Sequence, residues 1–162
     1  MEPVELIVAG AGDRGFVYAS YAKTYPKRAK IVGVAEPRDF YREKMANEHN
    51  IPEENVFTDW KDMAKKKKFA DAVIISTQDH MHKDPAIAFA KKEYHILLEK
   101  PMAPDEKSCR EITKEALSKD IIFVVGHVLR YTRYTQKLKS ILDLGIIGDA
   151  QQPWHRPGSA VA

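Results

Sequence analysis

A single cysteine, Cys109, is all that this 162-residue chain contains. One thiol cannot close an intramolecular disulfide, so a disulfide-stapled scaffold is excluded. Long apolar runs are missing too, since none approaches the roughly 18 residues that a membrane helix needs. Met1-Glu2-Pro3 leads straight into Val4-Glu5-Leu6-Ile7-Val8-Ala9, without the basic opening or the cleavage pattern of a secretory leader. Charge of one sign is scarce in excess. Lys and Arg number 26 against 23 Asp and Glu, and the resulting +3 is too mild to argue for nucleic acid. What the chain does have is 44% hydrophobic residues with charge spread evenly, which excludes a disordered chain. A domain near 150 residues can bury roughly 70% of its unfolded surface, so a real core is within reach. These features predict a soluble, cytoplasmic protein of one domain, with room for a fragment of a second.

Apolar runs and helical patterns alternate along the chain. Leu6-Ile7-Val8-Ala9, Lys30–Ala35, Ala72–Ile75, His95–Leu98 and Ile121–Val125 read as buried strands. Helices are predicted from Arg14 to Tyr25 (stopped at Pro26), Asp39 to His49, Asp59 to about Lys66, and Pro104-Asp105-Glu106 to about Ser118. Another begins at Asp84-Pro85, read as an N-cap followed by proline, and a last one runs from Tyr134 to Leu144, ended by Gly145. Strand–helix units of this length imply an α/β fold, a doubly wound parallel sheet with helices on both faces. The boundaries predicted are a main α/β domain over 1–126, a final helix and the entry to a further domain over 127–150, and a loose tail over 151–162. Pro153, Pro157 and Gly158 break any regular pattern in that tail.

The chemistry starts at the first turn. Gly10-Ala11-Gly12-Asp13-Arg14-Gly15 is a GxGxxG lying between a predicted strand and a predicted helix, the context this motif requires. Gly10 would make the tight turn, Gly12 would let backbone approach a pyrophosphate, and Gly15 would let helix and strand pack closely. Free amides at the helix start would face the anion. Glu36 follows the second strand, 21 positions after Gly15. A ribose-binding acid is expected about 20 residues beyond the motif. A carboxylate there accepts from ribose hydroxyls and repels a 2′-phosphate, by about 4 kcal/mol for unit charges about 4 Å apart near a surface. NAD is therefore favoured. Arg38, two residues on, could offset the repulsion and leaves NADP open. Glu99-Lys100-Pro101 closes the strand His95–Leu98 at its carboxyl end, the edge where open α/β sheets bind ligands. Lys100 could hydrogen-bond a substrate oxygen and exchange a proton there, or be an ordinary surface charge.

Glu99-Lys100-Pro101 downstream of this glycine motif resembles the glucose–fructose oxidoreductase / inositol dehydrogenase family (Gfo/Idh/MocA). Asp71-Ala72-Val73-Ile74-Ile75-Ser76-Thr77 followed by His82, Gly126-His127-Val128-Leu129-Arg130-Tyr131, and Gly145-Ile146-Ile147-Gly148-Asp149 are similar to further segments of it. The likeness spans about residues 4–149. It implies an NAD(P)-dependent oxidoreductase of sugars, cyclitols and related alcohols, with an N-terminal dinucleotide-binding domain and a C-terminal α/β domain. By the same resemblance Lys100 is the catalytic lysine, Ser76, Thr77, Gln78 and His82 line the cofactor side, and Glu99 and Arg130 support the site. Asp13 and Arg14 belong to the cofactor turn. One departure is Glu93, where the family usually has glycine. A left-handed backbone there would cost glutamate on the order of 1 kcal/mol. A larger departure is the end, since the family continues well over a hundred residues beyond Gly148 and Gln151–Ala162 resembles none of it. A truncated form is therefore expected, binding nucleotide with little turnover alone. The alternative is a non-catalytic or regulatory subunit that associates with a full-length relative. A sugar- or polyol-like substrate is expected only if a second domain is supplied, with no nucleic acid or membrane partner.

Other candidates weigh less. Lys65-Lys66-Lys67-Lys68 reads as a solvated helix end. His80 and His82 have no third ligand spaced to make a metal site. Cys109, Ile112 and Ala116 fall on one helix face, so packing is expected for the thiol rather than reactivity.

Overall fold

The computed structural model describes residues 2–145 and Gly148. It divides into two compact units, Met1–Gly126 and a smaller one that starts at His127. The first unit holds β1 (Val4–Ala9), α1 (Asp13–Thr24), β2 (Ala29–Ala35), α2 (Asp39–His49), β3 (Val56–Phe57) and α3 (Trp60–Lys65). It continues with β4 (Ala72–Ile75), α4 (Lys83–Lys91), β5 (His95–Leu98), α5 (Glu106–Leu117) and β6 (Phe123–Val125). The second unit carries a 3-10 turn at Val128–Tyr131 and α6 (Arg133–Asp143), which Thr132 caps by accepting from the Thr135 amide. The tail assigned to 151–162 lies outside the described residues, as does Asp149.

The six strands are all parallel in the order β3-β2-β1-β4-β5-β6. The order moves one way from β1 and the other way from β4. Right-handed crossovers therefore put α1 and α2 on one face and α4 and α5 on the other. Strand alternation feeds both layers. Ile7, Val73, Ile75, Ile96 and Leu98 pack with Phe89 and Ile112 on one side, while Val8, Val34 and Ile74 pack with Ala19 and Met45 on the other. The doubly wound parallel sheet expected from the sequence is what forms. Phe89 and Tyr94 meet edge to face at 5.4 Å, and the Tyr94 hydroxyl accepts from the Phe69 amide, so the phenol's polar end is satisfied inside the core.

Several boundaries differ from expectation for local reasons. β3 has two residues, too few to leave a periodic signal. Asp84 does not cap α4. The 3-10 turn Asp79–Met81 runs directly into the helix, His82 already has helical angles, and Asp84-Pro85 fall in the first turn, where proline loses no internal bond. Lys66 is not a solvated helix end, because its ammonium donates to the Glu54 carbonyl and the Asn55 side chain. Cys109 is half-buried and packs against the core that contains Ile112 and Ala116, as its spacing implies.

Ile74 and Leu97 lie on the α1 face of the sheet. With Leu6, the α1 side chains Val17 and Tyr21, and Tyr25 just beyond α1 they line an apolar groove of about 500 Å³ among the described residues. No helix among the described residues is long and apolar enough to cross a membrane.

Glu93 has φ 62°, the left-handed backbone in which a Cβ is disfavoured. Glu93→Gly is expected to stabilise the chain by about 0.5–1 kcal/mol in urea unfolding, since strain relief outweighs the added freedom of the unfolded state. Glu93→Ala, which keeps the Cβ, is expected to change stability by less than about half of that.

Candidate functional site

The reversal of strand order between β1 and β4 opens a crevice at their carboxyl ends, and that is where the sequence motifs converge. A cleft of about 380 Å³ is lined from three directions. The turn after β1 supplies Gly10, Gly12, Asp13 and Arg14. The segment after β2 supplies Glu36, Pro37 and Arg38, and the segment after β4 supplies Ser76, Thr77, Gln78 and Met81. Gly10 has φ +94°, and a Cβ on it would lie 2.6 Å from the Ser76 carbonyl oxygen. A Cβ on Gly15 would lie 2.2 Å from the Gly10 carbonyl oxygen, so the third glycine serves packing and does not face the cleft. The Ser76 hydroxyl donates to that same carbonyl at 2.7 Å, tying the end of β4 to the glycine turn. Gly12 is different, because a Cβ there would meet only the end of Arg38 at 3.4 Å. Its N-cap position carries no side-chain cap, so the first amides of α1 have no side-chain acceptor. Thr77, which also lines the cleft, has its Oγ1 buried with no hydrogen-bond partner among the described residues. Bare helix amides, an open glycine and an orphan hydroxyl are what a pyrophosphate would satisfy, and so the residues present fit a dinucleotide.

Two carboxylates organise the electrostatics. Glu36 is 3% exposed and accepts from the Ala11 amide at 2.8 Å and from Arg38 Nε at 2.7 Å. Burial pushes its carboxyl up, but the Arg38 side chain and the amides of Arg38 and Ala11 outweigh this and hold it below the usual range. Arg38 also lies over the Tyr41 ring at 4.1 Å. Glu99 is buried at the end of β5, where its Oε1 accepts from Arg14 Nε at 2.6 Å and from the Tyr18 hydroxyl at 3.2 Å. Its other oxygen accepts from the Lys100 amide. Burial again pushes the acid up, and Arg14, the Lys100 amide and Tyr18 bring it down below the ordinary value. Glu99 thus links α1 to the backbone of the motif lysine without lining the cleft itself. Lys100 is exposed beside it, before a cis bond to Pro101.

His82 corrects an expectation. It does not line the cofactor side, because it is 0% exposed. Its Nδ1 lies 2.8 Å from the Pro101 carbonyl and its Nε2 3.1 Å from the Thr77 carbonyl, so the ring sits between the loops after β4 and β5, its N–H donating to one of the two carbonyls. Arg130 is exposed on the 3-10 turn of the second unit. Sequence reasoning missed Pro37, Met81 and Tyr18. Tyr18 was within reach, because it stands four residues after Arg14 on α1 and their side chains meet at 3.3 Å.

A parallel sheet with this strand order and a GxGxxG turn at its switch point defines a nucleotide-binding Rossmann domain. The family model described as an oxidoreductase family with an NAD-binding Rossmann fold matches residues 4–127, and the chain belongs to that Gfo/Idh/MocA family. It is 28% identical over 151 residues to a 2,7-anhydro-N-acetylneuraminate hydratase of Mediterraneibacter gnavus, covering 91% of this chain and 38% of the relative. Among solved structures, myo-inositol 2-dehydrogenase from Lactobacillus plantarum superposes with a TM-score of 0.82 at 26% identity, over 91% of this chain and 43% of that one. The WlbA dehydrogenase from Bordetella pertussis in complex with NADH and UDP-GlcNAcA shares the fold, with a TM-score of 0.81 at 19% identity over 90% and 42% of the two chains. The chain therefore spans about two fifths of the length of these relatives.

Both acids are held below their ordinary value of 4.5, so the unfolded chain takes up protons first as pH falls. Their stabilisation is complete above that value and is lost as pH drops through the lower folded values. Glu99→Gln is expected to cost about 1–2 kcal/mol at pH 7. Its melting temperature should also fall less steeply than that of the parent between about pH 5 and pH 3, since one linked proton is gone. Circular-dichroism melts along that series check this, and equal slopes would count against it.

Proposed function

We propose that this chain is the NAD-binding half of a Gfo/Idh/MocA oxidoreductase whose substrate is a polyol- or sugar-like alcohol. The observation that carries the cofactor half is the cradle itself: uncapped α1 amides, an open Gly12 and the orphan Thr77 hydroxyl on one cleft. Bound NAD supplies a hydride acceptor. The protein's own contributions are orientation and charge. Gly10 and Ser76 set the shape of the turn, Thr77 and the α1 amides hold phosphate oxygens, and Glu36 with Arg38 meets the adenosine ribose. Lys100 is assigned to the reacting oxygen of the substrate, held by its ammonium and exchanging a proton there. Glu99 positions it through the Lys100 amide, and His82 positions Thr77 against Pro101. Arg130 is assigned a supporting role at the same site.

An alcohol-binding site needs an enclosed space of roughly 300–1,000 Å³, while the residues that line the cleft all come from the dinucleotide-binding unit and the chain spans about two fifths of its relatives' length. The chain alone is therefore assigned cofactor binding with little or no turnover. A second reading, a non-catalytic subunit working with a longer relative, is favoured by the apolar groove over Ile74 and Leu97, a surface of the kind that marks an interface.

Purified chain is expected to bind NADH saturably by fluorescence or calorimetry. Gly12→Ala fills the cradle without touching protein backbone and should weaken binding roughly tenfold while the circular-dichroism spectrum is kept. The absence of saturable binding by the parent chain would remove the dinucleotide reading. In a screen of polyol and sugar oxidation with NAD, turnover should stay at background. Robust turnover by the chain alone, lost in Lys100→Ala, would instead mark a complete enzyme. Formation of a defined complex on co-expression with a full-length family member, seen by light scattering, would favour the subunit reading.

A further inference from the structure

We infer that two copies of this chain associate by exchanging helices: α6 of a second copy lies on the bare part of the sheet's α1 face, and the first copy's α6 lies on the second. The inference concerns surfaces away from the cleft and stands whatever the cleft binds.

An all-parallel sheet is stable with helices covering both of its faces. Among the described residues, the face that carries α1 and α2 is covered at one end only. A row of side chains crosses that face in register: Val34 on β2, Val8 on β1, Ile74 on β4, Leu97 on β5 and Val124 on β6. Val34 and Val8 are 0% exposed and Ile74 4%, Leu97 is half-buried, and Val124 is 40% exposed. Cover therefore runs out between β4 and β6. On the opposite face Ile96, Leu98 and Phe123 pack into the core with Ile112 of α5. The bare strip spans two gaps between strands, about 10 Å, which is the diameter of one helix. One more helix is what this face lacks.

The second unit, taken by itself, supplies one. Tyr134, Leu138, Ile141 and Leu142 fall at i, i+4, i+7 and i+8 along α6, the stripe of a helix that faces a core. None of them is buried, and Tyr134 is 77% exposed. The two surfaces match in charge and in area. No charged side chain lines the groove, and the stripe contains none. Val17, Tyr21, Tyr25 and Val124 on the sheet side are 40–55% exposed. With tyrosine rings of about 150–250 Å² apiece, the uncovered apolar surface of groove and stripe comes to on the order of 800 Å² per copy. That is the share each partner gives to a standard stable interface. Because each copy carries one groove and one helix, the exchange closes as a two-fold dimer and leaves neither face bare.

Sedimentation velocity on the full chain tests this. The parent is expected to be a dimer at about 50 μM, within the range of affinities that interfaces of this size cover. Leu138→Glu on α6 and Tyr21→Glu on α1 each put a charge into both equivalent contacts. Each should weaken association about a hundredfold or more, a factor of about ten at each contact. Mixing the two variants should restore a heterodimer, since the intact groove of one meets the intact helix of the other, with an affinity between those of the parent and the variants. Tyr134→Glu changes an exposed side chain in the first turn of α6, where an acid suits the helix end. It should act like Leu138→Glu, and it keeps the experiment readable if that variant loses its circular-dichroism signature. A parent that stays monomeric at that concentration overturns the inference. So does a dimer that survives both α6 substitutions, which would place the contact on another surface. Failure of the mixed variants to associate overturns it too, because groove and helix would then not be each other's partners.

Discussion

The approach of the β1–α1 turn to the end of β4 leaves no room for a side chain at two points. Gly10 faces the Ser76 carbonyl and Gly15 faces the Gly10 carbonyl, both at distances no Cβ could occupy. The Ser76 hydroxyl then closes the contact with a hydrogen bond to Gly10. Everything else at the cleft depends on that approach. It starts α1 at Asp13 with its amides facing the crevice, brings Thr77 to the same cleft, and sets Arg14 on the first turn of α1, where it reaches Glu99. It also occurs where the strand order reverses, so the helices diverge to opposite faces and leave the crevice open.

Around that contact the protein places two buried acids, each answered by an arginine from a different part of the chain or the next turn of it. A buried carboxylate without a partner is costly, and here neither is left alone. The Glu99 pair spans α1 and β5, and so couples the glycine turn to the backbone of Lys100. The Glu36 pair is local, two residues apart, and places a guanidinium on the wall of the cleft. Both pairs use the same device, a submerged acid that orients a partly exposed arginine. His82 repeats the idea without charge pairing, its ring set between two carbonyls on the loops after β4 and β5.

Family membership and fold are secure grounds for assigning NAD, since the matched segment is the cofactor-binding domain itself. They say less about substrate. The relatives named above carry a hydratase and dehydrogenases on one scaffold, and this chain spans about two fifths of their length. The open groove on the α1 face is consistent with a domain that works against another surface. Its lining residues, Tyr21, Tyr25, Ile74 and Leu97 among them, are apolar enough to be costly in water.

Much of this was legible in the amino-acid order. Apolar runs of four to six residues spaced by helical patterns dictate buried parallel strands, because such runs can be satisfied only between two helical layers. GxGxxG after the first strand, Glu36 about twenty residues on, and Glu99-Lys100-Pro101 at a strand end each carry their meaning locally. The left-handed backbone at Glu93 was signalled only by the resemblance, which has glycine there. Other properties depend on long-range juxtaposition. Glu99 lies 85 residues from Arg14, the Ala11 amide reaches Glu36 across 25 residues, and His82 meets the Pro101 carbonyl across 19. The two-residue β3 had no periodicity to detect, and His82 looked like a cleft residue until its burial was seen. Sequence alone therefore determined the layers, the glycine turn and the candidate acids and base. The tertiary structure decided how the two acids are held, because the Arg14–Glu99 pair and the Ala11–Glu36 bond form only when distant segments meet.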